Sequence, residues 1–276
     1  MTPDFPEAKD LAEAVLRLEA VLSSCGDPAV AVSGGVDSLT LAAFAHRLLG
    51  GRVTFVHAVS PAVPGDATGR VRAFVEDRGA ALVVLNAGEF ADEAYRANPL
   101  NRCYFCKSHL YDAIHARFQG LVLSGANLDD LSDFRPGLLA ARERGVRHPL
   151  VEAGLTKVRV RELARALGLG EIAERPAAPC LSSRVETGIR IEASFLSLVD
   201  VVETELRRAV SPQTVRCRVR RRGLIVEMDE ASLSAWPLAS RLDWSGRIAS
   251  RARAAGLEGE VDFEVYRQGS AFLRPS

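Results

Sequence analysis

The chain has 276 residues, 47% of them hydrophobic, with 35 Lys+Arg balanced by 35 Asp+Glu. That is one large domain or two ordinary ones with a substantial core, and the zero net charge argues against a nucleic-acid binder, which carries a basic excess. The polar start MTPDFPEAKD is no secretory signal, no apolar run reaches the ~18–20 residues of a membrane helix, and five cysteines are too few and odd in number for a disulfide framework, so a cytoplasmic protein with reduced thiols is expected.

In chain order, Leu11, Val15, Leu18 and Leu22 share one face of a helix over 8–24. AVAV (29–32) reads as a short buried strand and 38–49 as the helix after it. RVTFVHAV (52–59) is a second strand, 68–78 a helix, ALVVL (81–85) a third strand. A helix at 105–117 leads to LVLSG (121–125), a fourth strand, and helices follow near 135–144 and 157–167. Apolar strands alternating with helices predict a doubly wound parallel sheet covered on both faces. After about residue 185 the character changes: a helix over 192–209, then TVRCRVR, LIVEMD, another helical stretch and VDFEVY predict a smaller α+β unit. Pro176, Pro179 and Gly188 punctuate the join, so the expected division is 1–184 and 185–276.

AVSGGVDSLTLAAF (31–44) carries the strongest local signal. A strand ends, two glycines follow and a helix begins. Gly34 and Gly35 let the backbone approach an anion closely, and the helix start offers free N–H groups and a favourable dipole. Ser33 and Ser38 add hydroxyls. Asp37, a carboxylate beside phosphates, fits as a Mg2+ ligand. The stretch is not the G-x-x-x-x-G-K-S/T loop of Walker-type NTPases. It resembles the PP-loop of the ATP pyrophosphatase superfamily, and the resemblance implies that ATP adenylates an oxygen of a substrate and releases pyrophosphate.

NRCYFCKSH (101–109) holds a C-x-x-C pair, Cys103 and Cys106. Alone it is compatible with a zinc half-site, a redox dithiol, part of an iron–sulfur site or two incidental thiols. RCRVRRRGLIVEMD (216–229) places Arg216, Arg218, Arg220 and Arg222 at period two, on one face of a strand. Such a row reads either as a solvated face paired with helix carboxylates such as Glu203 and Glu205, or as a phosphate or carboxylate site.

The C-x-x-C stretch, SGANLDDLSDFRPGLLAARERGVRHPL (124–150), GLTKVRVRELARALGL (154–169) and RPAAPCLSSRV (175–185) follow the loop in family order, and together they resemble the LarE family. These are sulfur transferases that help build the nickel-pincer nucleotide cofactor of lactate racemase. The likeness runs over about 29–230. One departure is SGAN where Asp-Gly-Thr-Asn is expected; Asn127, Asp129 and Asp130 are kept.

The resemblance implies an ATP-dependent, AMP-forming sulfurtransferase acting on a pyridinium carboxylate mononucleotide. Cys180 takes the position of the sulfur-bearing cysteine. In a sacrificial version its thiolate attacks the adenylate, and elimination leaves dehydroalanine. Three cysteines, Cys103, Cys106 and Cys180, match instead the members that carry a [4Fe–4S] cluster with one iron open for an added sulfide. A Cys₃His zinc site with His109 is a third option. Arg218, Arg220, Arg184 and Glu203 are the implied substrate-binding residues. Lys157, Asn127 and Asp130 join the loop in nucleotide binding, with Asp129 or Asp130 either completing the Mg2+ site or capping a helix. A homo-oligomer built on trimers and an external sulfide or sulfur donor are also implied. A PP-loop tRNA sulfurtransferase is the runner-up, which the neutral charge opposes, and a non-catalytic ATP or cluster carrier would need neither Asp37 nor Cys180. Cys25 and Cys217 read as structural.

Overall fold

The apolar runs of the first part form one parallel sheet in the computed structural model, which describes residues 5–132, 135–176 and 178–271. In chain order the elements are α1 Leu11–Ser23, β1 Ala29–Ala31, α2 Val36–Leu49, β2 Thr54–Ala58, α3 Gly65–Arg78, β3 Ala81–Leu85, α4 Glu93–Arg96, α5 Arg102–His115, β4 Val122–Ser124, α6 Pro136–Glu143, α7 Pro149–Glu152, α8 Lys157–Ala166 and α9 Glu171–Glu174. The rest of the chain adds α10 Ala193–Val210, β5 Val215–Arg220, β6 Gly223–Met228, α11 Glu230–Ala235, α12 Leu238–Ala254 and β7 Glu260–Val265. The chain divides into two compact units, one of 1–91 and 103–178, the other of 92–102 and 179–276.

In the first unit the strand order is β3-β2-β1-β4, all parallel. Alternate strand residues feed opposite cores. Val30 and Phe55 point into a cluster with α1, α2 and α8, whereas Ala29, Val56 and Val122 point into one with Tyr111 and Ile114 of α5. α2 is buried nearly all round, as its run LTLAAFA demands. The connections from β1 to β2 and β3 step outward one way, and β4 lies on the other side of β1. The order therefore reverses between β1 and β4, and the loops leaving their carboxyl ends diverge around a crevice, where sheets of this kind place ligands.

In the second unit α10 buries Leu196, Val199, Val202 and Leu206, spaced three and four apart. The sheet order is β5-β6-β7, with β5–β6 an antiparallel hairpin and β6–β7 parallel. The segment around α4 belongs here. Tyr95 Oη and Ser182 Oγ are 2.7 Å apart, and Asn98 donates from Nδ2 to Glu186 O and Ile189 O, both at 2.9 Å.

The arginine row is shorter than the period-two pattern predicts. β5 ends at Arg220, which pairs with Gly223, so Arg221 and Arg222 form the hairpin turn. Arg222 leaves the row and pairs with Glu264 instead.

Candidate active site

The loop after β1 is folded back on the helix it precedes. Ser33 N donates to Ser38 Oγ at 3.2 Å, the two hydroxyl oxygens lie 3.2 Å apart, and Ser38 Oγ donates to Gly35 O at 3.1 Å. Gly35 is the N-cap of α2 and supplies no capping side chain, so no side chain of its own competes for the first-turn N–H groups. Gly34 has φ +81°, and a Cβ there would stand 2.8 Å from Ala67 O. Only glycine permits that backbone and that approach of α3.

Two further stretches converge on Asp37. Gly125, just past β4, lies so close to α2 that a Cβ would be 2.7 Å from Ser38 N. This approach brings the buried Asn127 within reach, and its Nδ2 donates to Asp37 Oδ1 at 3.3 Å. α8 starts at the N-cap Thr156, which orients Lys157, and Lys157 Nζ forms an ion pair with Asp37 Oδ2. Asp129 holds the start of α8 by accepting from Lys157 N. Asp130 spends one oxygen on the capping box with Asn127 N, at 3.0 Å, and the other on Arg135, at 2.9 Å. Of the two roles open to Asp130, capping is the one this geometry displays. Asp37, Asn127 and Lys157 thus meet at the crevice between β1 and β4, with the loop glycines beside them.

Two histidines that carried no spacing signal brace this site. His57 on β2 is buried; its Nδ1 lies 2.8 Å from Val32 O and its Nε2 3.0 Å from Thr68 Oγ1. A carbonyl only accepts, so Nδ1 carries the hydrogen and Nε2 accepts from the threonine. Burial pushes the His57 pKa down, which keeps that neutral tautomer. His148 Nδ1 lies 2.8 Å from Ser124 Oγ at the end of β4, and burial lowers its pKa as well.

In the second unit Cys180 is the exposed N-cap of a 3₁₀ turn, Leu181–Arg184. The turn's carbonyls are held by two arginines. Arg184 Nη1 donates to Pro179 O at 2.7 Å and Cys180 O at 3.2 Å, and Arg218 Nη1 donates to Ser183 O at 3.1 Å. Both guanidinium groups are buried beside carboxylates. Arg184 Nε and Nη2 reach Glu203 at 2.9 and 3.1 Å, and Arg218 Nε reaches Glu227 at 3.0 Å. Glu203 also accepts from Cys217 N at 3.0 Å and from Arg207 at 2.6 Å. Burial alone would lower the Arg184 pKa, but the Glu203 charge and hydrogen bonds outweigh it and raise it. Arg220 shares Glu227, with Nη2 3.2 Å from Oε1, and keeps more of its surface accessible. The sequence offered Glu203 and Glu205 as partners for the row. Glu203 serves Arg184, Glu205 pairs with Arg251, and the missed partners are Glu227, which faces the row from β6, and Glu186, 3.6 Å from Arg220 Nη1.

None of the five cysteines forms a disulfide. Cys25 and Cys217 are buried, and burial raises both thiol pKa values. Cys103 and Cys106 are half-buried and three residues apart on α5, so both lie on one helical face. Among the described residues no three His, Cys, Asp or Glu side chains are gathered around one point. The α5 pair could hold one edge of an iron–sulfur group, its chemistry being thiolate ligation, with a further thiolate needed from elsewhere in the chain.

A parallel sheet whose central strand runs through S-G-G-x-D-S into a helix, with the reversal of strand order beside it, is the PP-loop arrangement, and the chain is of that fold class. No family model matches the chain. Three relatives do. An uncharacterized protein of Synechocystis sp. is 42% identical over 183 residues, 65% of this chain and 68% of its own length. The pyridinium-3,5-bisthiocarboxylic acid mononucleotide synthase of Lactiplantibacillus plantarum is 31% identical over 228 residues, 81% of this chain and 82% of its own. An uncharacterized protein of Methanocaldococcus jannaschii is 24% identical over 213 residues, 73% of this chain and 77% of its own. The chain belongs to the LarE family, to which the Lactiplantibacillus synthase belongs.

Proposed function

We propose that the protein is an ATP-dependent sulfurtransferase that adenylates a carboxylate of a pyridinium carboxylic acid mononucleotide and converts it to a thiocarboxylate. The name of the Lactiplantibacillus relative, a bisthiocarboxylic acid mononucleotide synthase, supports the substrate class. The observation that carries the nucleotide half is the convergence of Asn127 and Lys157 on Asp37 beside an uncapped helix start.

A carboxylate resists nucleophiles because its leaving group is oxide. In the proposed reaction the substrate carboxylate oxygen attacks the α-phosphorus of ATP, the bond from that phosphorus to the α,β-bridging oxygen breaks, and pyrophosphate leaves. Ser33, Gly34, Gly35 and Ser38 bind the phosphates through N–H and O–H donors at the helix start. Asp37 holds Mg2+. Lys157, paired with Asp37 in the structure, would turn its charge to the phosphates once ATP is bound. Asn127 orients the Asp37 carboxylate. A sulfur nucleophile then attacks the acyl carbon, and AMP departs with the bonding pair. Arg220, with Arg184 and Arg218 behind it, favours the anionic mononucleotide; Arg184 and Arg218 also keep the Cys180 turn in shape.

Cys103, Cys106 and Cys180 would hold a [4Fe–4S] cluster, which would supply sulfide as the sulfur nucleophile. The exposure of Cys180 equally supports its own sacrifice as the sulfur donor. Anaerobic iron and sulfide analysis with mass spectrometry of Cys180 after turnover separates the two: intact Cys180 with several turnovers supports the cluster, and loss of hydrogen sulfide from Cys180 after one turnover supports the sacrifice. Asp37→Ala should abolish pyrophosphate release from MgATP while the protein stays folded. Release of ADP and inorganic phosphate by the wild type refutes adenylation.

A further inference from the structure

Arg70 stands on α3, against the phosphate loop, and nothing in the sequence singled it out. Its Nε donates to Gly34 O at 3.1 Å, and its Nη1 lies 2.6 Å from Asp66 Oδ2. The first turn of α3 is pressed against Gly34, which places this guanidinium at the edge of the loop rather than in solvent. A guanidinium has five N–H donors in a rigid fork. Two are used. Nη2 donates to no acceptor among the described residues. Asp66 is in turn shared, with Arg175 Nη2 3.4 Å away. Two guanidinium groups around one carboxylate leave a net positive charge beside a loop whose backbone suits an anion.

We propose that Arg70 is a further nucleotide-contacting residue, which turns Nη1 away from Asp66 and, with the unused Nη2, engages the terminal phosphates of ATP, the part that leaves as pyrophosphate. The proposal rests on the adenylating reading above. The Arg70–Asp66 bridge is an i,i+4 pair with an exposed carboxylate, a kind of contact that contributes little. A phosphate offers the same fork stronger charge-assisted bonds. The Nε bond to Gly34 O need not break, so the arginine stays anchored to the loop during the exchange. Asp66 thus acts as a stand-in for the phosphate.

The test uses the full-length protein and measures binding of MgATP, inorganic pyrophosphate and AMP by calorimetry. Arg70→Ala should weaken MgATP and pyrophosphate by about tenfold or more, the loss of one charge-assisted bond, and leave AMP unchanged. Arg70→Lys should recover only part, because an ammonium is a single donor atom without the fork that reaches Gly34 O and a phosphate from separate nitrogens. Asp66→Asn, which removes the competing charge, should tighten MgATP and pyrophosphate. A mere brace of the loop behaves differently: Arg70→Ala weakens AMP and MgATP alike, and Asp66→Asn weakens rather than tightens. Either of those results overturns the proposal, as does unchanged MgATP binding in Arg70→Ala. If Arg70→Ala fails to fold, the direction of the Asp66→Asn change decides. Wild-type protein that binds no MgATP overturns the adenylating reading as well, whereas wild-type binding untouched by both variants overturns Arg70 alone.

Discussion

Glu203→Gln separates a structural brace from a substrate contact. Glu203 is 1% exposed, and all four of its hydrogen bonds come from donors: Arg184 Nε and Nη2, Arg207 Nη2 and Cys217 N. Glutamine has nearly the same volume but turns one acceptor into a donor. Whichever way the amide points, an N–H faces another N–H, and Arg184, itself 2% exposed, loses its counter-charge. Breaking one side of a buried pair costs about 3–5 kcal/mol, because the other charge is left uncompensated. The Arg207 contact, with that side chain 41% exposed, adds little. At about 2–4 °C per kcal/mol for a domain of this size, the melting temperature should fall by roughly 6–20 °C. Arg207→Ala, the control, should cost less than about 1 kcal/mol. Urea titration followed by circular dichroism gives both values. The reasoning is refuted if Glu203→Gln unfolds at the wild-type midpoint; if it also loses affinity for the mononucleotide, Glu203 is a ligand contact and not a brace.

Gly125→Ala should disturb the nucleotide site without touching a ligand, since its Cβ would press on Ser38 N and Cα, both 2.7 Å away; MgATP titration checks this, and unchanged affinity contradicts the close approach. Native protein treated with a maleimide should label Cys180 first and spare Cys217, which is sealed and whose pKa burial raises; peptide mapping that finds Cys217 modified before unfolding counts against the buried assignment. His57 has a folded pKa below its unfolded value, so its stabilising contribution is present above about pH 6.5 and is lost as pH falls below it, at up to 1.4 kcal/mol per pH unit. Urea midpoints at pH 7.5 and 5.5 should therefore drop more for wild type than for His57→Gln, and equal drops refute the neutral buried histidine.

What the sequence determined by itself is local in origin. The four strands and their helices follow from apolar runs and helical spacing within a dozen residues, and the phosphate loop from S-G-G-x-D-S, because glycine freedom, helix dipole and hydroxyl donors all act over one turn of chain. The doubly wound sheet followed from their alternation. The members of each charge cluster were legible as residue types, but not their pairing. Glu227 became the partner of Arg218 only through the β5–β6 register, and Arg222 left the row because a two-residue turn intervened. His57, Gly125 and Arg70 had no sequence signal, since each matters through an atom 25 to 87 positions away along the chain. The segment 92–102 joins the second unit through Tyr95 and Asn98, which find their partners about 87 residues on. A buried carboxylate or arginine must be matched by whichever charge lies a few ångströms away, and that neighbour is chosen by strand order and register, which no local pattern encodes.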